Sequence, residues 1–299
     1  MTTESTDSKT VDARPWTIRH VLEWTTNYFR EQQCESPRLD AEILLAHVLN
    51  CPRIQLYVRY DVALTDEQRS RMRELVRRRA AREPVAYLVG KREFFGLDFQ
   101  VSRGVFIPRP ETELLVVELV KTLKERPAAS VLELCVGSGC VCVAAVVNLP
   151  QIRMTAVELF PDVLKVAREN AEKHGILQRI EFCEGDLYSA LQKPELFDAI
   201  VSNPPYIAAS EIDGLQPEVS LHEPRTALDG GIDGLDIVRR ILEGAGTHLH
   251  PGGRVLIELS PETVFVAAEL AKKNHELDKV TILRDDAGAS RFLSAYKRK

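Results

Sequence analysis

No Cys-x-x-Cys pair occurs in this chain, and no Gly-x-Gly-x-x-Gly, no Gly-Lys-Ser/Thr and no apolar run long enough to cross a bilayer. Each absence excludes something. The six cysteines, at 34, 51, 135, 140, 142 and 183, suggest neither a zinc site nor a disulfide frame, so they are expected to be reduced and mostly buried. Without either glycine signature, the phosphates of a dinucleotide or a nucleoside triphosphate are poorly served. The opening residues MTTESTDSKT lack the apolar core of a secretory signal, and a membrane helix would need about 20 apolar residues. Positive charge is also short. The formal net charge is -5 and the pI about 5.9, which argues against a protein built to grip bulk duplex DNA. These exclusions leave a protein expected in the cytoplasm, without a membrane partner or stable nucleic-acid binding.

What is present is ordinary globular material: 299 residues, 44% hydrophobic and 28% charged, enough for two cores. Residues 1–14 are polar and expected to be a disordered tail. From about 15 to 90, apolar residues recur at helical spacing, and Thr65 with Gln68 forms a capping-box pattern, so this stretch predicts a small helical domain. Residues 91–105 alternate around a glycine and suit a hairpin linker. Beyond 105 the period changes. The strand-like runs SVLEL, MTAVEL, IEFC, FDAIVS and RVLIEL alternate with helical segments, which predicts an α/β domain over 106–299, a doubly wound and largely parallel sheet.

In such a sheet, ligands bind beyond the carboxyl ends of the strands, where strand order reverses. The strand ends read ELCVGSG, VELF, EGDL and SNPPY. The first puts Gly137 and Gly139 in a strand-to-helix turn, where the backbone can approach a ligand, although a tight connection alone would use the same residues. Glu158 closes the second strand, where a carboxylate can accept from both hydroxyls of a ribose. Asp186 is placed to accept from an exocyclic amine such as that of adenine, or else to cap a helix. A ribose cofactor without a phosphate group, S-adenosylmethionine, fits this set.

SNPPY supplies the other half of a reaction. An amide or aromatic amine is a poor nucleophile because its lone pair is delocalised, so its N–H groups must be held by acceptors while the nitrogen is aimed. Asn203 offers a side-chain carbonyl and Pro204 a backbone carbonyl, on a segment stiffened by Pro205, and Tyr206 can wall a planar target. A proline-rich turn with a solvated asparagine is the plainer alternative.

With these residues in view, the chain resembles the release-factor glutamine N5-methyltransferases, which methylate the glutamine of the Gly-Gly-Gln loop in peptide-chain release factors. EPVAYLVGKREFFGLDFQVSRGVFIPRPETE, NPPYI, EPRTALDGGIDGL and RDDAGASRF carry the resemblance, which spans about residues 15 to 299. It implies a helical domain joined by a β-hairpin to a seven-stranded Rossmann-like methyltransferase domain. It also implies a cofactor site at Cys135, Val136, Gly137, Ser138, Gly139, Glu158, Asp186, Leu187 and Asn203, and a glutamine site at Asn203, Pro204, Pro205 and Tyr206. No metal is implied, and a monomer is expected. Glu133, Cys135, Leu187 and Ser260 depart from the family's usual residues, which bears on cofactor affinity more than on the reaction. The rival substrate is the N6 amine of adenine in a nucleic acid, which would call for base flipping and a basic groove. A binding module without catalysis is a third alternative, against which Asn203 and Glu158 speak.

Two further features invite a site and are read as structure. Seven arginines between Arg69 and Arg82 fit a solvated helix face whose apolar side is Met72, Leu75, Val76 and Ala80, though such a density also suits docking. His248 and His250 precede a turn and lack companion metal ligands.

Overall fold

The computed structural model describes residues 15–191 and 195–299, so the tail expected over 1–14 lies outside the described residues. The chain divides into two compact units, the first ending at Val89 and the second beginning at Gly90.

The first unit is helical: α1 (Ile18–Glu31), α2 (Pro37–Leu49), α3 (Arg53–Val58), α4 (Asp66–Ala80) and α5 (Val85–Val89). Thr17 caps α1 by accepting from the His20 N–H at 3.3 Å, and both halves of the Thr65–Gln68 capping box form at the start of α4. Leu22, Phe29, Leu44, Leu45 and Leu56 are fully buried at its centre. The arginine-rich helix departs from a merely solvated face. Arg79 is buried and pairs with buried Asp40 at 2.7 Å, and Arg78 forks onto buried Glu83. A buried cation needs such a partner, because unpaired it would cost several kcal/mol (on the order of 3–5).

The second unit opens with a hairpin, β1 (Lys91–Phe94) and β2 (Leu97–Gln100), whose turn residues Phe95 and Gly96 both have positive φ, as a two-residue hairpin turn requires. The hairpin is more than a linker. Phe94 and Phe99 are buried in the unit's core, a gain of about 1.5–3 kcal/mol for each ring, and Asn170 bonds both the N–H and the carbonyl of Gln100.

Then come α6 (Glu113–Leu123), β3 (Ser130–Leu134), α7 (Cys140–Asn148), β4 (Arg153–Glu158), α8 (Pro161–Lys173), β5 (Ile180–Glu184), β6 (Phe197–Ser202), α9 (Pro217–Ser220), α10 (Asp236–His248), β7 (Leu249–Glu258), α11 (Val264–Lys273), β8 (Leu277–Arg284) and β9 (Ser290–Lys297). The seven-stranded sheet has the order β5-β4-β3-β6-β7-β9-β8, parallel except for β9, which runs antiparallel to both neighbours. This is the doubly wound, mostly parallel sheet expected from the alternating pattern. Strand order reverses between β3 and β6, so the ligand crevice belongs at their carboxyl ends. The register is specific about what meets there. Leu134 lies opposite Val157 on one side and Ser202 on the other, and Ser202 lies opposite Ile257. The next residues, Glu158, Cys135, Asn203 and Glu258, therefore emerge side by side along one edge. Buried Ser202 ties the switch point together by donating to the Leu134 carbonyl at 2.7 Å.

Three cysteines, Cys34, Cys140 and Cys142, are buried, while Cys51, Cys135 and Cys183 are partly exposed, so burial is less general than the sequence suggests. Among the described residues all six are free thiols, and no helix is long and apolar enough to cross a membrane.

Candidate active site

A cavity of about 380 Å³ opens at the switch point. Of the residues singled out from the sequence, Cys135, Val136, Gly137, Ser138, Glu158, Asp186, Leu187, Asn203, Pro204, Pro205 and Tyr206 all line it. Gly139 does not. It sits behind the turn at φ 79°, where an added Cβ would come within 3.1 Å of the Ala167 Cβ on α8, so its role is to let turn and helix close up.

The turn after β3 is held under backbone strain. Cys135 has φ 60°, a left-handed conformation that is costly for a residue with a Cβ, and Gly137 follows at φ 58°. Leu187, which also lines the cavity, is likewise left-handed, at φ 50°. The restraints are local and specific. Glu158 accepts from the Gly137 N–H at 3.0 Å, and also from the N–H groups of Leu159 and Phe160 at 3.0 and 3.2 Å. Buried Asn170 on α8 donates to the Ser138 carbonyl at 2.9 Å. Asn170 went unremarked in the sequence, where an asparagine inside an amphipathic helix gives no signal.

The electrostatics of the cavity are acidic. Burial pushes Glu158 up, opposed by its three backbone donors. Glu133, a cavity-lining residue on β3, is pushed up to about 8 by burial, and its Oε2 has no partner. It had stood out in the sequence only as a departure from the family's pattern. Glu258, at the end of β7, is pushed up to about 7 by burial, with the Thr112 hydroxyl opposing, and its Oε2 is likewise unpartnered. Asp186 caps no helix. Its half-exposed carboxylate pairs with Arg240 of α10 at 2.7 Å.

On the other wall, Asn203 Nδ2 donates to Thr112 Oγ1 at 3.1 Å, which turns Oδ1 the other way. Among the described residues, neither Asn203 Oδ1 nor the Pro204 carbonyl accepts a hydrogen bond. The segment beyond is clasped by the glycine-rich loop: Ile207 donates to Leu228, Gly230 to Ile207 and Ala209 to Gly231. A Cβ at Gly234 would lie 2.4 Å from the Tyr206 carbonyl, so only glycine fits there. The loop that precedes the clasp is itself anchored, since buried Glu223 accepts from the Ile107 N–H and from Arg109. Burial pushes the Tyr206 phenol up, so it stays neutral. His248 stacks on Tyr188 and bonds the Gly244 carbonyl, a structural role.

Comparison with known proteins agrees with this architecture. Residues 20–90 match the family model described as PrmC N-terminal domain, and residues 110–230 match the methyltransferase small domain. The chain is 43% identical over 294 residues to the release factor glutamine methyltransferase of Rhodopirellula baltica, covering 97% of this chain and 99% of the relative. It belongs to the release factor glutamine methyltransferase family. The enzyme of that name from Geobacter sulfurreducens is 46% identical over 244 residues, covering 82% of this chain and 84% of its own. Among solved structures, a methyltransferase from Pyrococcus furiosus superposes with a TM-score of 0.51 at 22% identity, over 69% of this chain and 91% of that one, a likeness of fold.

Proposed function

We propose that this chain methylates, from S-adenosylmethionine, the side-chain amide nitrogen of the glutamine in the Gly-Gly-Gln loop of peptide-chain release factors. The observation that carries the reading is the pair of unengaged acceptors, Asn203 Oδ1 and the Pro204 carbonyl, in a cavity that the strained turn and Glu158 also line. A primary amide has two N–H groups, and two acceptors on a stiff backbone hold both. Named relatives act on release factors, which favours this substrate over adenine in a nucleic acid.

The cavity suits the cofactor. A volume of about 380 Å³ is in the range of small-molecule sites, and the unpartnered Glu133 oxygen leaves a polar contact open to a ligand. Glu158 retains about one of its four acceptor positions after its three backbone bonds, and can share others with ribose hydroxyls. Cys135, Val136, Gly137 and Ser138 would cradle the cofactor, with Gly139 behind them, Asp186 and Leu187 beside the adenine, and Asn203 near the reacting end. When bound, the cofactor supplies an electrophilic methyl group on a positively charged sulfur.

The remaining work falls to the chain itself. Asn203 and Pro204 take up the two amide hydrogens, and Tyr206 packs against the amide plane, so that the nitrogen is presented with its lone pair outward. No strong base is required beforehand, because the proton leaves readily once the nitrogen has become positive. Positioning thus carries the rate.

Residues 15–90 act in this reading as the substrate-recognition domain. On that unit a groove of about 430 Å³ between α1 and α4, lined by Trp16, Trp24, Tyr28, Arg69, Arg73 and Arg77, offers the aromatic and cationic surface that protein partners use. The enzyme works in the cytoplasm as a monomer. The full chain, incubated with labelled cofactor and purified release factors, should place one methyl group on the loop glutamine by mass spectrometry. Label elsewhere, or none, would overturn the assignment.

A further inference from the structure

We infer that Thr112 is a positioning residue that sets which end of the Asn203 amide faces the cleft. The inference rests on the reading of Asn203 as an acceptor for the target amide. An asparagine amide has two ends of nearly equal shape and opposite chemistry, one accepting and one donating. Only one orientation accepts from the target. The other points N–H at N–H, leaving buried donors unpaired. Nothing within SNPPY selects between the two.

The selector comes from 91 residues earlier in the chain. Thr112 ends a short 3₁₀ turn, Pro110–Thr112, and is 2% exposed, so no solvent reaches its hydroxyl to satisfy either orientation equally. A hydroxyl has one hydrogen. If that hydrogen pointed at Asn203, the amide would turn its carbonyl inward and present N–H to the cleft. Instead Thr112 Oγ1 accepts from Asn203 Nδ2 at 3.1 Å. Its own hydrogen is then free for another acceptor, and the nearby carboxyl of buried Glu258 feels the Thr112 hydroxyl in favour of its charged form. The same carboxyl feels Glu111 against its charge and Arg291 and Arg109 for it, and it lies close enough to affect the Tyr206 phenol. Donation from Asn203 therefore runs away from the cleft, to Thr112, and leaves Asn203 Oδ1 as the group on offer. Register puts Glu258 beside this pair, since Asn203 and Glu258 follow the paired residues Ser202 and Ile257 on adjacent strands.

The test is single-turnover methylation of an intact release factor at saturating cofactor, with cofactor titration and thermal melting of each variant. Thr112→Val keeps the shape and removes the hydroxyl. It should slow methyl transfer about five- to a hundredfold, the loss expected when a buried amide is left free to turn, with cofactor affinity within about twofold. Thr112→Ser should restore most of the rate, which a packing role for the methyl would not permit. Thr112→Val added to Asn203→Ala should slow the enzyme no further than Asn203→Ala alone, because there is then no amide to orient. Thr112→Ala gives the same comparison if the valine variant does not fold. A normal rate in Thr112→Val, or full additivity with Asn203→Ala, would overturn the inference while leaving Asn203 as the acceptor. A normal rate in Asn203→Ala would overturn that reading and the inference together.

Discussion

The two walls of the cleft are built on different principles. On the side of the glycine turn, the polar group facing the cavity is tied to backbone: Glu158 takes three main-chain N–H groups, and Asn170 pins the turn from behind. On the SNPPY side the polar group facing the cavity, Asn203, is tied to another side chain, Thr112, and the acceptors are left open. Backbone ties fix a shape, which suits a ligand held in a constant pose. Open acceptors on a proline-stiffened segment suit a group that must be aimed. Binding and rate should therefore separate under mutation, one wall governing each.

The strongest break comes at Asn203. Asn203→Ala deletes one acceptor and leaves a target N–H unpaired in a buried pocket, a cost of about 2–4 kcal/mol in the transition state, or roughly thirty- to a thousandfold in rate. Single-turnover kinetics should show that loss with cofactor affinity far less affected. If affinity and rate fell equally, the division between the walls would disappear.

Glu158→Ala should act on the other quantity. Losing the ribose acceptor and the partner of three backbone donors should weaken cofactor binding at least about tenfold, measurable by calorimetry. Unchanged affinity in a folded variant would remove Glu158 from the site.

Glu133 sharpens the contrast through pH. Its folded-state pKa of about 8 lies above the ordinary carboxylate value, so the native protein holds a proton that the unfolded chain has released. Stability should accordingly fall as pH rises from about 4.5 to about 8 and then level off. Glu258, raised to about 7, adds a slope of the same sign that ends earlier. Glu133→Gln should flatten its share, so that in cofactor-free protein the variant's melting temperature gains on the wild type between pH 5 and pH 8. A constant difference across that range would mean that Glu133 is already ionised at neutral pH.

The smallest effect belongs to Asp186. Its pairing with Arg240 is exposed, and such pairs contribute about 0–1 kcal/mol, so Asp186→Asn should leave melting unchanged. Only cofactor affinity should fall, by a few-fold. A large loss of stability would make Asp186 a structural residue of the wall.

Much of the fold was legible in the sequence because it depends on local periodicity. Apolar runs of strand length alternating with helical stretches lead to a doubly wound sheet, and Thr65 with Gln68 announces the start of α4 through contacts three residues apart. The strand-end residues were legible as well, since chemistry in such a sheet collects where strands stop. Other features depend on partners distant in sequence. Register alone aligns Glu158, Cys135, Asn203 and Glu258 on one edge, and a single-residue slip would turn each to the opposite face. Gly139 looked like part of the cradle, but packing against Ala167 puts it behind the turn. Arg79 looked solvated until α2 brought Asp40 against it. The orientation of the Asn203 amide lies furthest from the sequence. Its two ends are the same size, and only a buried hydroxyl delivered by another part of the fold can tell them apart.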